Sequence, residues 1–226
     1  PERHALTRSN DLTAVRQFCL YRRRFDPEGF VPEKMLPVAA VRRHFQACVL
    51  KHEQIKLLLH SIADLQGPPL RLQRMRTLFL VLYCTGLRLG EALHLCVADL
   101  DLKQACFRIG PSKGRIRVVP FGQDLANELR AWLNARRKAG FTLTQQTTLF
   151  EREDGRPDNL WNAGMRFNTL FRHCGLKPAR GSGRVGLRVH DLRHTFAVHR
   201  LQRWYRSGED PNPLLPWLSA YLGHVN

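Results

Sequence analysis

Apolar residues recur at helical spacing along most of the chain and alternate over only one short stretch. Residues 11–25, Asp-Leu-Thr-Ala-Val-Arg-Gln-Phe-Cys-Leu-Tyr-Arg-Arg-Arg-Phe, predict an amphipathic helix with Asp11 as its N-cap. Asp26-Pro27 stops it, and Pro27, Pro32 and Pro37 make residues 26–46 read as a linker. The helical pattern resumes near Lys51 and runs to Asp64, ended by Gly67-Pro68-Pro69. Leu72–Cys84 is apolar on most faces, as a buried helix is, and Gly86 is placed to cap it in the left-handed conformation. A short helix over Leu89–Leu95 follows. The period then changes. Ala105–Ile109 and Arg115–Val119 alternate around Gly110-Pro-Ser-Lys-Gly114, which predicts a β-hairpin ended by Pro120. Helices return over 124–139, with Asp124 as cap, then Asn159–Cys174, His190–Arg206 and Leu214–Leu222, with Gly181–Gly183 in a loop. The pattern predicts a mainly α protein with one small antiparallel sheet, an α+β fold without internal repeats.

Composition narrows the partners. The 226 residues hold 36 Lys+Arg against 19 Asp+Glu, a net charge of +17, yet 43% are apolar, so this is no disordered basic tail. The longest apolar stretch, Thr77–Cys84, is far too short for a membrane span, and no signal peptide opens the chain. A start at Pro1 rather than Met is what a fragment shows. The charge is uneven: residues 103–138 hold nine cations against two acids, and 166–206 hold ten against Asp191 alone. Stretches so one-sided point to a polyphosphate partner, DNA or RNA.

The six cysteines are scattered without a C-x-x-C pair, as in a reducing compartment. His190 and His194 stand at i, i+4, the best support for zinc, but the glutamate of H-E-x-x-H is missing and no cysteine pair is near, so no metal is expected.

Four stretches carry chemistry. In Thr85-Gly-Leu-Arg88-Leu-Gly-Glu91 an arginine follows a helix-ending glycine, and an acid three residues on shares its face. In His190-Asp-Leu-Arg193-His194 a histidine and an arginine fall on one side of a helix, at the margin of its apolar arc, where they need partners. His194 reads as a satisfied core histidine. Tyr221-Leu-Gly-His224 lets a histidine turn off a helix end, and Lys113 sits at the hairpin tip.

Together these motifs resemble the tyrosine recombinase (phage integrase) family, in its order and with ordinary spacing, over residues from about 47 to 226. Residues 1–46 look like the last helix and linker of that family's helical core-binding domain, and 47–226 like its catalytic domain. The stretches Phe196–Trp204 and Leu215–Leu222 look most like integrases of bacterial transposable elements. The resemblance implies a site-specific recombinase that cleaves DNA through a 3′-phosphotyrosyl intermediate without metal or other cofactor. It implies a duplex recombination site and further copies of the protein in a synaptic complex as partners, and a cytoplasmic, nucleoid-associated location. Arg88 and Arg193 match the two arginines that clamp the phosphate, and His190 and His224 the two positions that hydrogen-bond it or assist the nucleophile. Glu91 matches the supporting acid. Lys113 matches the general acid on the hairpin, with Arg115 a rival because the hairpin is one residue short. A lysine delivers a proton and an arginine practically cannot. Arg115, Arg117, Arg166 and Arg172 are expected DNA contacts. The family's nucleophilic tyrosine lies beyond the Leu-Gly-His motif; Tyr21, Tyr83, Tyr205 and Tyr221 do not match it, so the nucleophile is expected beyond Asn226. Two other readings are a DNA-binding module that has lost catalysis and an RNA-binding basic domain.

Overall fold

The computed structural model describes residues 5–33, 47–110, 116–178 and 186–223. The chain divides into two units, residues 1–46 and 47–226. The first contributes α1 (Ala5–Arg22), closed by backbone turns over Arg23–Asp26. Asp11 therefore lies inside this helix and does not cap it. The amphipathic pattern begins just after Asp11, but the polar residues before it are helix-compatible, and Thr13 Oγ1 donates back to the Ser9 carbonyl within the same helix.

The second unit opens with α2 (His52–Asp64) and α3 (Pro69–Thr85), which starts with Pro69 at its first position, where the missing N–H costs nothing. Short α4 (Leu89–His94) follows, then a three-stranded antiparallel sheet in the order β1 (Leu100–Asp101), β2 (Cys106–Ile109), β3 (Arg117–Pro120). The register pairs Phe107 with Val119 and Ile109 with Arg117. Strand β1 escapes a periodicity reading because two residues carry no period. Helix α5 (Gln123–Lys138) is capped by Gly122 and not by Asp124, which sits in the first turn, where a carboxylate favours the helix dipole without capping. Helix α6 (Leu160–His173) starts one residue later than the pattern predicts, because Asn159 is its N-cap and its side chain accepts the Asn162 N–H. Helix α7 (Val189–Arg206) runs back across α3, and a single 3₁₀ turn leads into α8 (Leu215–Leu222).

One apolar core joins α2, α3, α5 and α6 to the inner face of the sheet, with Phe79, Phe107, Leu129, Trp132, Phe150, Phe167 and Phe171 wholly buried. Trp132 satisfies its indole by donating to the Leu149 carbonyl at 2.7 Å. Arg136 is buried beside it, ion-paired to Glu151 at 2.6 Å and bonded to the Thr148 carbonyl, so this cation belongs to the core. A second small cluster, Phe196, Leu218 and Leu222, docks α8 on α7. The mainly α architecture with a small antiparallel sheet is the one the sequence predicts.

Candidate active site

Helix α3 ends on Gly86 at φ +64, with its N–H returned to the Leu82 carbonyl. That position admits no side chain. A Cβ there would lie 2.6 Å from Phe196 and 2.9 Å from Leu222, so the turn is pressed against both α7 and α8. Two residues on, Arg88 opens α4. Glu91 accepts its backbone N–H at 2.9 Å and its guanidinium at 3.2 Å, which leaves the Arg88 side chain 40% exposed over a carboxylate only 9% exposed. Burial of Glu91 opposes its ionisation. The Arg88 N–H, the Arg117 hydrogen bond and both guanidinium charges outweigh burial and hold its carboxyl below the ordinary range.

Arg193, on the first turns of α7, is buried. Its two terminal nitrogens donate to the Gly86 carbonyl at 2.9 Å and the Leu222 carbonyl at 2.6 Å. One guanidinium thus ties the turn before Arg88 to the end of α8, and three of its five N–H groups remain for other acceptors. Burial and then the charge of Arg88 pull its pKa down to about 10, while Glu91 pulls the other way, so it stays cationic at neutral pH.

His190 lies one turn before Arg193 and is exposed; its ring meets that of His194 edge-on at 4.9 Å. Partial burial, then His194 and Arg193, disfavour a further positive charge and set its pKa below the usual histidine value, against the opposing pull of Asp191. His199 shifts the same way, chiefly through burial and His52. A folded pKa below the unfolded one means that the unfolded chain takes up protons first as pH falls. Stability is therefore expected to drop as pH goes below about 6.5. His190→Gln should flatten that dependence, read as the difference in melting temperature between buffers on either side of that pH. An unchanged slope would contradict the crowding seen at this ring.

Of the other predicted positions, Lys113, Arg115 and His224 lie outside the described residues. Arg117 is on β3 and points inward, 2.9 Å from Glu91, with its Nε donating to the Tyr221 carbonyl at 3.1 Å. Arg166 is ion-paired to buried Asp158, and Arg172, further along α6, has no ion pair with a described acid. The structure therefore gathers Arg88, Glu91, Arg117 and Arg193 at one junction, with His190 on the adjoining turn. Arg117 is the member that the sequence placed elsewhere; its only signal is its position three residues before the strand-ending Pro120. Among the described residues no three His, Cys, Asp or Glu side chains group as a metal site would.

The sequence model of the phage integrase family matches residues 48–212. The protein y4rB of Sinorhizobium fredii, an integrase/recombinase by name, is 35% identical over 94% of this chain and 68% of its own length. Tyrosine recombinase XerA of Thermococcus kodakarensis is 32% identical over 78% of this chain and 54% of its own. The chain thus spans between about half and two thirds of the curated relatives it matches. Among solved structures, the Tn1549 transposon integrase in complex with transposon right end DNA superposes with a TM-score of 0.71 at 18% identity, covering 99% of this chain and 73% of that one. XerH site-specific recombinase bound to palindromic difH substrate gives 0.70 at 20%, over 98% and 61%. These two likenesses show the shared fold.

Proposed function

Since the chain belongs to the phage integrase family, the tyrosine recombinases, we propose that it is the catalytic part of a site-specific DNA recombinase that acts on duplex DNA in a complex of several copies. One observation carries this reading: Arg88 and Glu91 at the start of α4, Arg117 on β3 and Arg193 on α7 come from three separate stretches and meet at one basic junction.

Strand cleavage of this kind moves a phosphoryl group onto a tyrosine hydroxyl and frees a 5′-hydroxyl, with charge building on the non-bridging oxygens. Arg88, half-open over Glu91, offers a planar fork to those oxygens, and Arg193 presents its remaining N–H groups from a fixed mount. His190, neutral near pH 7, can donate one hydrogen bond or take a proton. Lys113 is read as the acid that protonates the leaving 5′-oxygen, and His224 as the second histidine of the pocket. The region before residue 47 is read as the end of the helical DNA-clamping domain. XerH and the Tn1549 integrase are both solved on DNA, which supports a duplex partner here. No described helix is long and apolar enough to cross a membrane.

The nucleophile is read as lying beyond Asn226. Tyr221 donates its hydroxyl to the Pro120 carbonyl at 3.0 Å, stacks on Phe196, and is held far above the usual tyrosine pKa chiefly by burial. The Tyr83 hydroxyl pairs with His199 Nδ1 at 3.1 Å, and Tyr205 is exposed near the far end of α7.

The test is a nicked duplex that traps the covalent state. The 226-residue chain should bind it without forming an adduct. The chain extended by the coding sequence that follows Asn226 should form one, mapped by mass spectrometry to a tyrosine after His224. No adduct from either would favour a DNA-binding module without catalysis. An adduct at Tyr221 or Tyr205 would overturn the placement of the nucleophile.

A further inference from the structure

Arg117 is surrounded by three chain segments. It sits on β3, opposite Ile109 on β2. Its side chain is only 15% exposed. One terminal nitrogen lies 2.9 Å from Glu91 Oε2, the carboxylate oxygen that also accepts the Arg88 N–H. The Nε donates to the Tyr221 carbonyl in the last turn of α8. The guanidinium also lies flat against Gly223, where a Cβ would stand 2.8 Å from one terminal nitrogen and 2.9 Å from Cζ. Gly223 adopts φ +70, so both its backbone and the space above it require glycine. An arginine that holds a phosphate turns its fork outward. This one turns it inward, onto a carboxylate and a backbone carbonyl.

We propose that Arg117 is a positioning residue for strand cleavage, which fixes Glu91, and through it Arg88, against the end of α8. The proposal rests on the recombinase reading for the reaction it serves, but its geometry stands without that reading. Glu91 alone could hold Arg88 in more than one arrangement; a second guanidinium on Oε2, with the Arg88 fork on Oε1, leaves one. The hydrogen bond to Tyr221 then sets the distance between that arrangement and the residues leading into His224. Lysine cannot replace it, because a single ammonium on a flexible stem does not span two acceptors in fixed directions. Displacement of a charge-stabilising group by even an ångström is costly in rate while barely affecting how tightly a long duplex is held.

The experiment compares Arg117→Gln and Arg117→Lys with the parent 226-residue chain, with circular dichroism to verify folding. Duplex-DNA affinity should stay within about threefold and its salt dependence should be unchanged, because no phosphate contact is lost. Carbon NMR should show the Glu91 carboxyl titrating at higher pH in Arg117→Gln, with partial return in Arg117→Lys. Amide exchange at Gly223 should quicken about tenfold or more in both variants, because neither restores the two-acceptor fork. In the chain extended through its nucleophile, the cleavage rate at saturating nicked DNA should fall about tenfold or more in Arg117→Gln. Lost affinity, with a salt slope lower by about one phosphate and unchanged Glu91 titration, would make Arg117 a DNA contact and overturn the proposal. If the extended parent forms no adduct, the recombinase reading fails, and the Glu91 and Gly223 measurements still decide whether Arg117 sets this junction. Should Arg117→Gln not fold, the same measurements on Arg117→Lys decide it.

Discussion

Raising salt from 50 to 200 mM should weaken binding of the 226-residue chain to duplex DNA by about a thousandfold if on the order of six phosphates are neutralised. The net charge of +17 is the starting point. The structure reduces the number of cations free to act. In the two basic stretches Arg108, Arg117, Arg136, Arg166 and Arg188 are ion-paired to Asp101, Glu91, Glu151, Asp158 and Asp191. Arg193 and Lys177 donate to backbone carbonyls. What remains among the described residues includes Lys103, Arg130, Arg137, Lys138, Arg172, Arg200, Arg203 and Arg206, none of them in an ion pair with a described acid. Binding should therefore follow a log–log slope near −5, at about 0.9 per phosphate. Fluorescence anisotropy at several salt concentrations measures it. A slope near zero would remove nucleic acid as the partner, and equal affinity for duplex RNA at matched salt would favour the RNA-binding reading.

Arg193→Ala should damage both the reaction and the fold. In the chain extended through its nucleophile, loss of one preorganised donor to developing charge is expected to slow cleavage by about a hundredfold or more. The substitution also strips the donor from two carbonyls, Gly86 and Leu222, where the α3 turn is pressed against α7 and α8. An unsatisfied buried carbonyl costs about 1–3 kcal/mol. For a chain of this size the melting temperature should then fall by roughly 5–10 °C. Arg88→Ala gives the contrast. Its side chain is 40% exposed and Arg117 still holds Glu91, so a similar loss of rate should come with a melting temperature within about two degrees of the parent. Differential scanning calorimetry alongside the trapped-adduct assay separates the two. Equal melting temperatures for both variants would contradict the role of Arg193 as a structural tie.

Most helices were legible because each has a local apolar period, and the Gly86 cap because it depends on one residue. The boundaries that moved are those where a neighbour decides: Asp11 and Asp124 are good cap residues that sit inside helices because earlier residues extend them. The motif arginines and histidines were legible by type and spacing. Their partners were not. Arg117 looked like a hairpin cation facing DNA because its acid, Glu91, is in another element, and Arg136 looked like surface charge because Glu151 lies beyond the end of its helix. Charge counted along a sequence overstates what is free to bind when acids elsewhere fold onto it.

The bonds that close the junction also decide when it can exist. Arg193 reaches the Gly86 carbonyl across 107 residues, and the Thr195 hydroxyl accepts the Leu50 N–H across 145 while donating to the Asp191 backbone carbonyl. Contacts of such separation form late, after the local helices and the hairpin. During synthesis, α2 to α6 can pack while α7 is still inside the ribosome, but the Arg88 turn then has no Arg193 beneath it and no Leu222 beside it. A nascent chain can gather a hydrophobic core long before these arginines meet. The junction that holds Arg88 is thus completed only after the chain has been made and released through Leu222.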